Sequence, residues 1–197
     1  MTPRIPPGSL RELGPSNWAF SRFAAKVMRV NDVHLFSTLG HTRGLFRAWL
    51  MFSARLMPFG SLPRYEVEMM ILRIAILRGC TYEYDHHEKL GKRAGLSRAI
   101  INRIEAGPSA PGWSTRHHAL LVAVDQLINT KDIDDETWAR LDRFFNHREL
   151  VEIVLLIGQY DSLATTIRAL RIERDQRIVK PQRIVEPQPS HGQLAER

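Results

Sequence analysis

The run from Glu68 to Leu77 places Met69, Met70, Ile71, Leu72, Ile74, Ala75, Ile76 and Leu77 within ten positions, and it restricts the architecture more than any other stretch. A helix that is apolar on nearly every side has no face to offer water and must be surrounded by other elements. Val151, Ile153, Val154, Leu155, Leu156 and Ile157 form a second run of the same kind. Alternating apolar and polar residues of strand length are almost absent, so the chain reads as an all-α bundle built round two central helices. The two runs echo each other loosely, each opening on a glutamate and each interrupted by glycine, but only the first is followed by Cys80, Glu83 and His87.

Punctuation divides the rest into shorter helices. Ser16 or Asn17 is expected to cap a first helix carrying Trp18, Phe23, Val27 and Met28, and Asp32 to open a short one through Leu35, Phe36 and Leu39. Gly44 precedes a helix that Pro58 and Gly60 end, and Pro63 stands in the first turn of the central run. Gly79 turns the chain into a helix from Thr81 to Ala94, with Gly95 after it and Ser97 opening the next. Ser114 and Asp134 are further caps, and Asn146 with Glu149 forms a capping box. Residues 1–15 read as a Pro-rich leader, 16–172 as the helical domain and 173–197 as a basic, extended tail.

At 197 residues one domain suffices, and 44% hydrophobic with 25% charged residues fits a soluble protein. No apolar run approaches the roughly 20 residues of a membrane helix, and the leader lacks the apolar core of a signal peptide. A cytoplasmic protein is expected. A single cysteine excludes an internal disulfide. Part of the net charge of +7 comes from Arg168, Arg171, Arg174, Arg177, Lys180 and Arg183, spaced every third residue. This is a solvated basic stripe at a helix end, because no nucleic-acid motif or aromatic platform accompanies it.

The chemistry-bearing cluster follows the first apolar run. On a helix advancing about 100° per residue, Glu83 lies roughly 60° and His87 roughly 20° from the direction of Cys80, so the three share a face. Glu68, on the neighbouring helix, can join them. His86 points elsewhere, and Tyr82 and Tyr84 read as packing or rim residues. Adjacent histidines that diverge, with no second cluster at ligand spacing, argue against a metal site, and no cofactor is expected.

The segment from Glu68 through Cys80, Glu83 and His87, with the Gly95-Leu96-Ser97 turn, resembles the carboxymuconolactone decarboxylase and alkylhydroperoxidase D-like superfamily. Phe36 to His41 and Glu149 to Tyr160 extend the likeness over roughly residues 30 to 172. The resemblance implies an all-helical fold that assembles as a dimer, trimer or hexamer and acts on a small molecule, with neither nucleic acid nor membrane as partner. Its peroxidase branch carries a Cys-x-x-Cys pair, a histidine four residues after the second cysteine and a glutamate twelve before the first. Glu68, Cys80 and His87 match three of those positions, and Glu83 replaces the second cysteine. The decarboxylase branch instead places glutamate four residues before histidine, as Glu83 and His87 are placed.

This hybrid pattern favours a cofactor-independent acid/base enzyme acting on a small organic acid, lactone or enol-like substrate. His87 is expected to carry the proton, Glu83 to orient the ring, Glu68 to complete the relay, and Cys80, near a helix start that favours thiolate, to line the pocket or sense oxidants. The alternatives are a thiol antioxidant using Cys80 alone, which needs an external thiol, and a non-catalytic scaffold with a basic tail. Plainer accounts also exist: a surface Glu–His pair, a small buried thiol, and a glutamate that steadies its helix start.

Overall fold

The computed structural model describes residues 2–176, and among them it contains α-helices and no β-sheet. The helices are α1 (Leu10–Leu13), α2 (Pro15–Met28), α3 (His34–Leu39), α4 (Gly44–Leu56), α5 (Arg64–Leu77), α6 (Thr81–Arg93), α7 (Arg98–Ala106), α8 (Thr115–Thr130), α9 (Asp135–Asp142) and α10 (His147–Leu170), with a 3-10 turn between α3 and α4. Helix α5 is the axis of the molecule. Every residue from Glu66 to Ala75 is buried, and α6, α7, α8 and α10 pack around it. The all-round apolar run thus occupies the surrounded position that its composition demands.

Ion pairs fix the neighbours of α5 at its polar positions. Arg73 makes a bidentate pair with Asp125 of α8 at 2.7 Å through both contacts, and its third nitrogen donates to the carbonyls of Ile104 and Glu105 at the end of α7. Glu66 accepts two bonds from Arg116 of α8, which also donates to the Phe144 carbonyl. Those bonds outweigh burial and bring the Glu66 carboxyl down to about 2. Glu152 of α10 accepts from the Ser61 and Leu62 amides and so ties the loop before α5 to the second long helix.

Most helix starts fall where local chemistry places them. Ser97, Ser114, Asp134 and Asn146 all cap their helices through side-chain oxygens, the last in a full capping box with Glu149. Other boundaries differ. Helix α2 begins at Pro15 after Gly14, and Asn17 is buried, donating to the carbonyls of Gly40 and Arg43 rather than capping. Val33, not Asp32, precedes α3, and the Asp32 carboxylate accepts from the Ser37 hydroxyl. The central helix begins at Arg64, one turn before Glu68, and Pro63 is its N-cap. The leader contains α1, whose Leu13 is buried.

Helix α10 also corrects the expectation about apolar length. Its 24 residues contain an 18-residue window with a mean hydropathy of 1.4, which meets the length and composition of a membrane-crossing helix. Eight of its side chains, from Leu150 to Ile167, are buried in the protein core, where that hydropathy is used. In the expected basic stripe, Arg168 donates to the Arg78 carbonyl and Arg174 pairs with Asp85, so neither is a free cation. Arg177, Lys180 and Arg183 lie outside the described residues.

Ile71 is fully buried at the centre of α5, so Ile71→Ala should cost about 2–5 kcal/mol. Loss of the α10 cap in Asn146→Ala should cost about 1 kcal/mol. Urea unfolding of the two variants checks the order of these effects.

Candidate functional site

Helices α5 and α6 are joined by a tight turn in which Gly79 takes a φ of +57°, a left-handed value that L side chains rarely adopt. Two residues before the end of α6, Gly91 lies against Leu96 and near Glu68 of α5. A Cβ there would lie 2.7 Å from Leu96 Cδ1 and 3.6 Å from Glu68 Cβ, so glycine makes room for the buried Leu96 side chain, while the approach to α5 is an ordinary contact. His87, one turn earlier on α6, then reaches across to α5.

Glu68 is completely buried and held from two sides. His87 Nδ1 lies 2.7 Å from Glu68 Oε2, and Arg64, one helical turn before Glu68, donates to Oε1 at 2.6 Å. A carboxylate only accepts, so the ring nitrogen that faces it, Nδ1, carries a proton. The ring edge meets Tyr160 of α10 with centroids 5.2 Å apart. The expectation that Glu83 orients the ring is corrected: Glu68 does so directly, and no hydrogen bond joins Glu83 to His87.

Glu83 occupies a different environment. It is buried, and neither carboxyl oxygen has a hydrogen-bond partner. Burial pushes its pKa up to about 8, with the neighbouring Cys80 thiol offsetting only part of the rise. The side chain is therefore a carboxylic acid at neutral pH.

Cys80 is the N-cap of α6 and is 2% exposed. Burial, and then the Glu83 charge, push its thiol up to about 12. The expected dipole-stabilised thiolate is thus overturned: desolvation and a neighbouring carboxyl outweigh the helix N-terminus.

Glu83 and His87 both line a cavity of about 350 Å³ between α2, α3 and α4 on one side and α6 and α10 on the other. Cys80 and Glu68 stand behind this wall and do not line it. Tyr82 and His86 are on the same lining. The Tyr82 hydroxyl donates to Asp175 at 3.1 Å, and His86 Nε2 lies 3.2 Å from the same carboxylate, so the chain after α10 backs this part of the wall. Among the described residues no group of three metal-ligating side chains comes together. The sequence reading missed Arg64, Tyr160 and Asp175. Arg64 carried a signal, its i,i+4 spacing to Glu68. The other two come from distant chain positions and carried none.

A buried acid raised to about 8 binds its proton more tightly folded than unfolded, so stability should fall as pH rises from about 4.5 to 8 and then level off. Glu83→Gln should flatten that segment, and the gain over wild type at pH 8 should reach on the order of 2–4 kcal/mol, less whatever the buried amide costs. Chemical denaturation at several pH values measures this. Alkylation by iodoacetamide at pH 8 should label native Cys80 far more slowly than the urea-unfolded chain; equal rates would contradict the buried thiol.

The sequence model of the Carboxymuconolactone decarboxylase family matches residues 43–125, which carry Glu68, Cys80, Glu83 and His87. The uncharacterized protein YdfG of Bacillus subtilis (strain 168) is 25% identical over 104 residues, covering 52% of this chain and 71% of that protein. A protein of unknown function from Agrobacterium tumefaciens, grouped with the antioxidant-defence protein AhpD, is 25% identical with a TM-score of 0.60, over 66% of this chain and 90% of its own. The alkylhydroperoxidase AhpD core of a peroxidase-related protein from Ralstonia eutropha JMP134 superposes with a TM-score of 0.76 at 15% identity, over 87% and 92% of the two chains. The family match lies across the helix pair that holds the site and the all-helical architecture is shared, and together these findings support a place for the chain in the carboxymuconolactone decarboxylase and alkylhydroperoxidase D-like superfamily.

Proposed function

We propose that this protein is a cofactor-independent acid/base enzyme in which His87 takes a proton from a bound carbonyl compound and Glu83 supplies one. The observation that carries this reading is the contrast in how two groups on one cavity wall are held. Glu68, itself paired with Arg64, fixes Nδ1 as the His87 donor and leaves Nε2 to act as the base in the proposed step, while Glu83 is enclosed without a partner and held as an acid. Neighbouring groups pushed toward different roles by their surroundings are what general acid/base catalysis requires. Glu68 supports the positive charge that develops on the ring when Nε2 accepts a proton, and it touches no substrate.

In the proposed step, Nε2 removes a proton from the carbon beside a carbonyl, or from an enol oxygen. The electron pair moves through the conjugated system, and the Glu83 carboxylic acid delivers its proton at the other end. The product differs from the substrate by the position of one proton, and an exchange with water resets both groups. Cys80 has no part in this cycle. A one-cysteine peroxidase would need an exposed thiolate and a second thiol, and Cys80 is enclosed with its pKa pushed up to about 12. Assembly as a homo-oligomer belongs to the same proposal, motivated by exposed Phe23, Val27, Leu45 and Met51 on α2 and α4.

Deuterium uptake at the acidic carbon of a panel of enolisable lactones and β-keto esters in D2O tests the reading. His87→Ala should slow uptake by about 10²–10⁴-fold, whereas Cys80→Ser should change it only a few-fold. Because the acid form of Glu83 is required, the rate should fall above about pH 8. Undiminished exchange in His87→Ala, or loss confined to Cys80→Ser, would refute the scheme.

A further inference from the structure

We infer that the cavity takes a neutral, flat, mainly apolar molecule bearing one proton-exchanging oxygen, and discriminates against carboxylate anions. This narrows the substrate class and rests on the acid/base reading of Glu83 and His87.

The walls set the first half of the inference. Phe20, Phe36 and Trp49 form a continuous aromatic surface, with ring centroids 5.5 Å apart for the first pair and 6.4 Å for the second. Met28, Leu50 and Leu163 add apolar side chains to the lining. A volume of about 350 Å³ is at the small end of small-molecule sites, which run from about 300 to 1,000 Å³, and suits one or two fused rings.

The polar groups set the second half. Among the described residues no lysine or arginine lines the cavity. The two histidines on its wall are already committed, His87 to Glu68 and His86 to Asp175. Ser53 and Gln159 bond to each other at 3.1 Å, and the Tyr82 hydroxyl is taken by Asp175. A substrate carboxylate would therefore leave water for an apolar space without a free countercharge, next to another carboxyl group. A neutral hydroxyl or carbonyl meets no such penalty. Glu83 and His87 are on the lining, and the two Glu83 oxygens, enclosed and without partners, become a donor and an acceptor for such a group once the side chain turns into the space. Of an organic acid, a lactone and an enol, the last two fit.

Calorimetric titration of the full chain at pH 7 with 2-naphthol and with 2-naphthoate, matched in shape and opposite in charge, tests this. The naphthol should bind at least about tenfold more tightly, a difference of about 1.4 kcal/mol. Ala54→Trp, which fills the space from α4, should abolish naphthol binding, and the milder Trp49→Ala should weaken it several-fold, with melting curves confirming that both fold. Probe binding and isotope exchange are separate measurements on the unmodified chain, so failure of the catalytic scheme and failure of this inference are read separately. Equal or tighter naphthoate binding, binding of neither probe, or naphthol binding undisturbed in both wall variants would overturn it.

Discussion

A carboxylate with no access to water, pinched between an arginine on its own helix and a histidine on the next, is the constraint on which the site depends. Glu68 is tolerable at zero exposure only because Arg64 and His87 satisfy it from two directions. The pair also ties α5 to α6 across the tight turn that Gly79 makes. The packing that makes α5 the hydrophobic centre of the bundle therefore also fixes His87 at the cavity wall.

The neighbouring carboxyl group shows the opposite solution. Glu83 is buried without a partner, and the molecule accommodates it by keeping it protonated. At the corresponding place the peroxidase pattern has its second cysteine. With a carboxyl group there in place of sulfur, the resolving thiol of that pattern is absent, and Cys80 is enclosed as a small packing group beside Glu83.

How much of this could be read from the residues follows the range of the forces involved. Local signals performed well: the caps at Ser97, Ser114, Asp134 and Asn146 are short-range hydrogen bonds, and the central position of α5 follows from its having no polar face. Local signals also misled where a tertiary contact took the same side chain. Asn17 looks like a cap but spends its amide on carbonyls of the α3–α4 turn, and Asp32 accepts from Ser37. The four candidate residues could be grouped from their spacing and the family likeness, and of these the structure brings Glu83 and His87 to the cavity wall. Their division of labour was not legible, because which carboxyl group meets His87 depends on the rotation of α6 against α5. Burial likewise decided the state of Cys80 against its helix-end position.

That rotation has a fixed setting. His86 and His87 project from α6 about 100° apart, and each meets a carboxylate, Asp175 from the segment after α10 on one flank and Glu68 from α5 on the other. Two anchors at different bearings stop a cylinder from turning, as two stays hold a mast. The aim of Glu83, which has no bond of its own to steer it, is thereby dictated by a pair of adjacent imidazoles that never touch it.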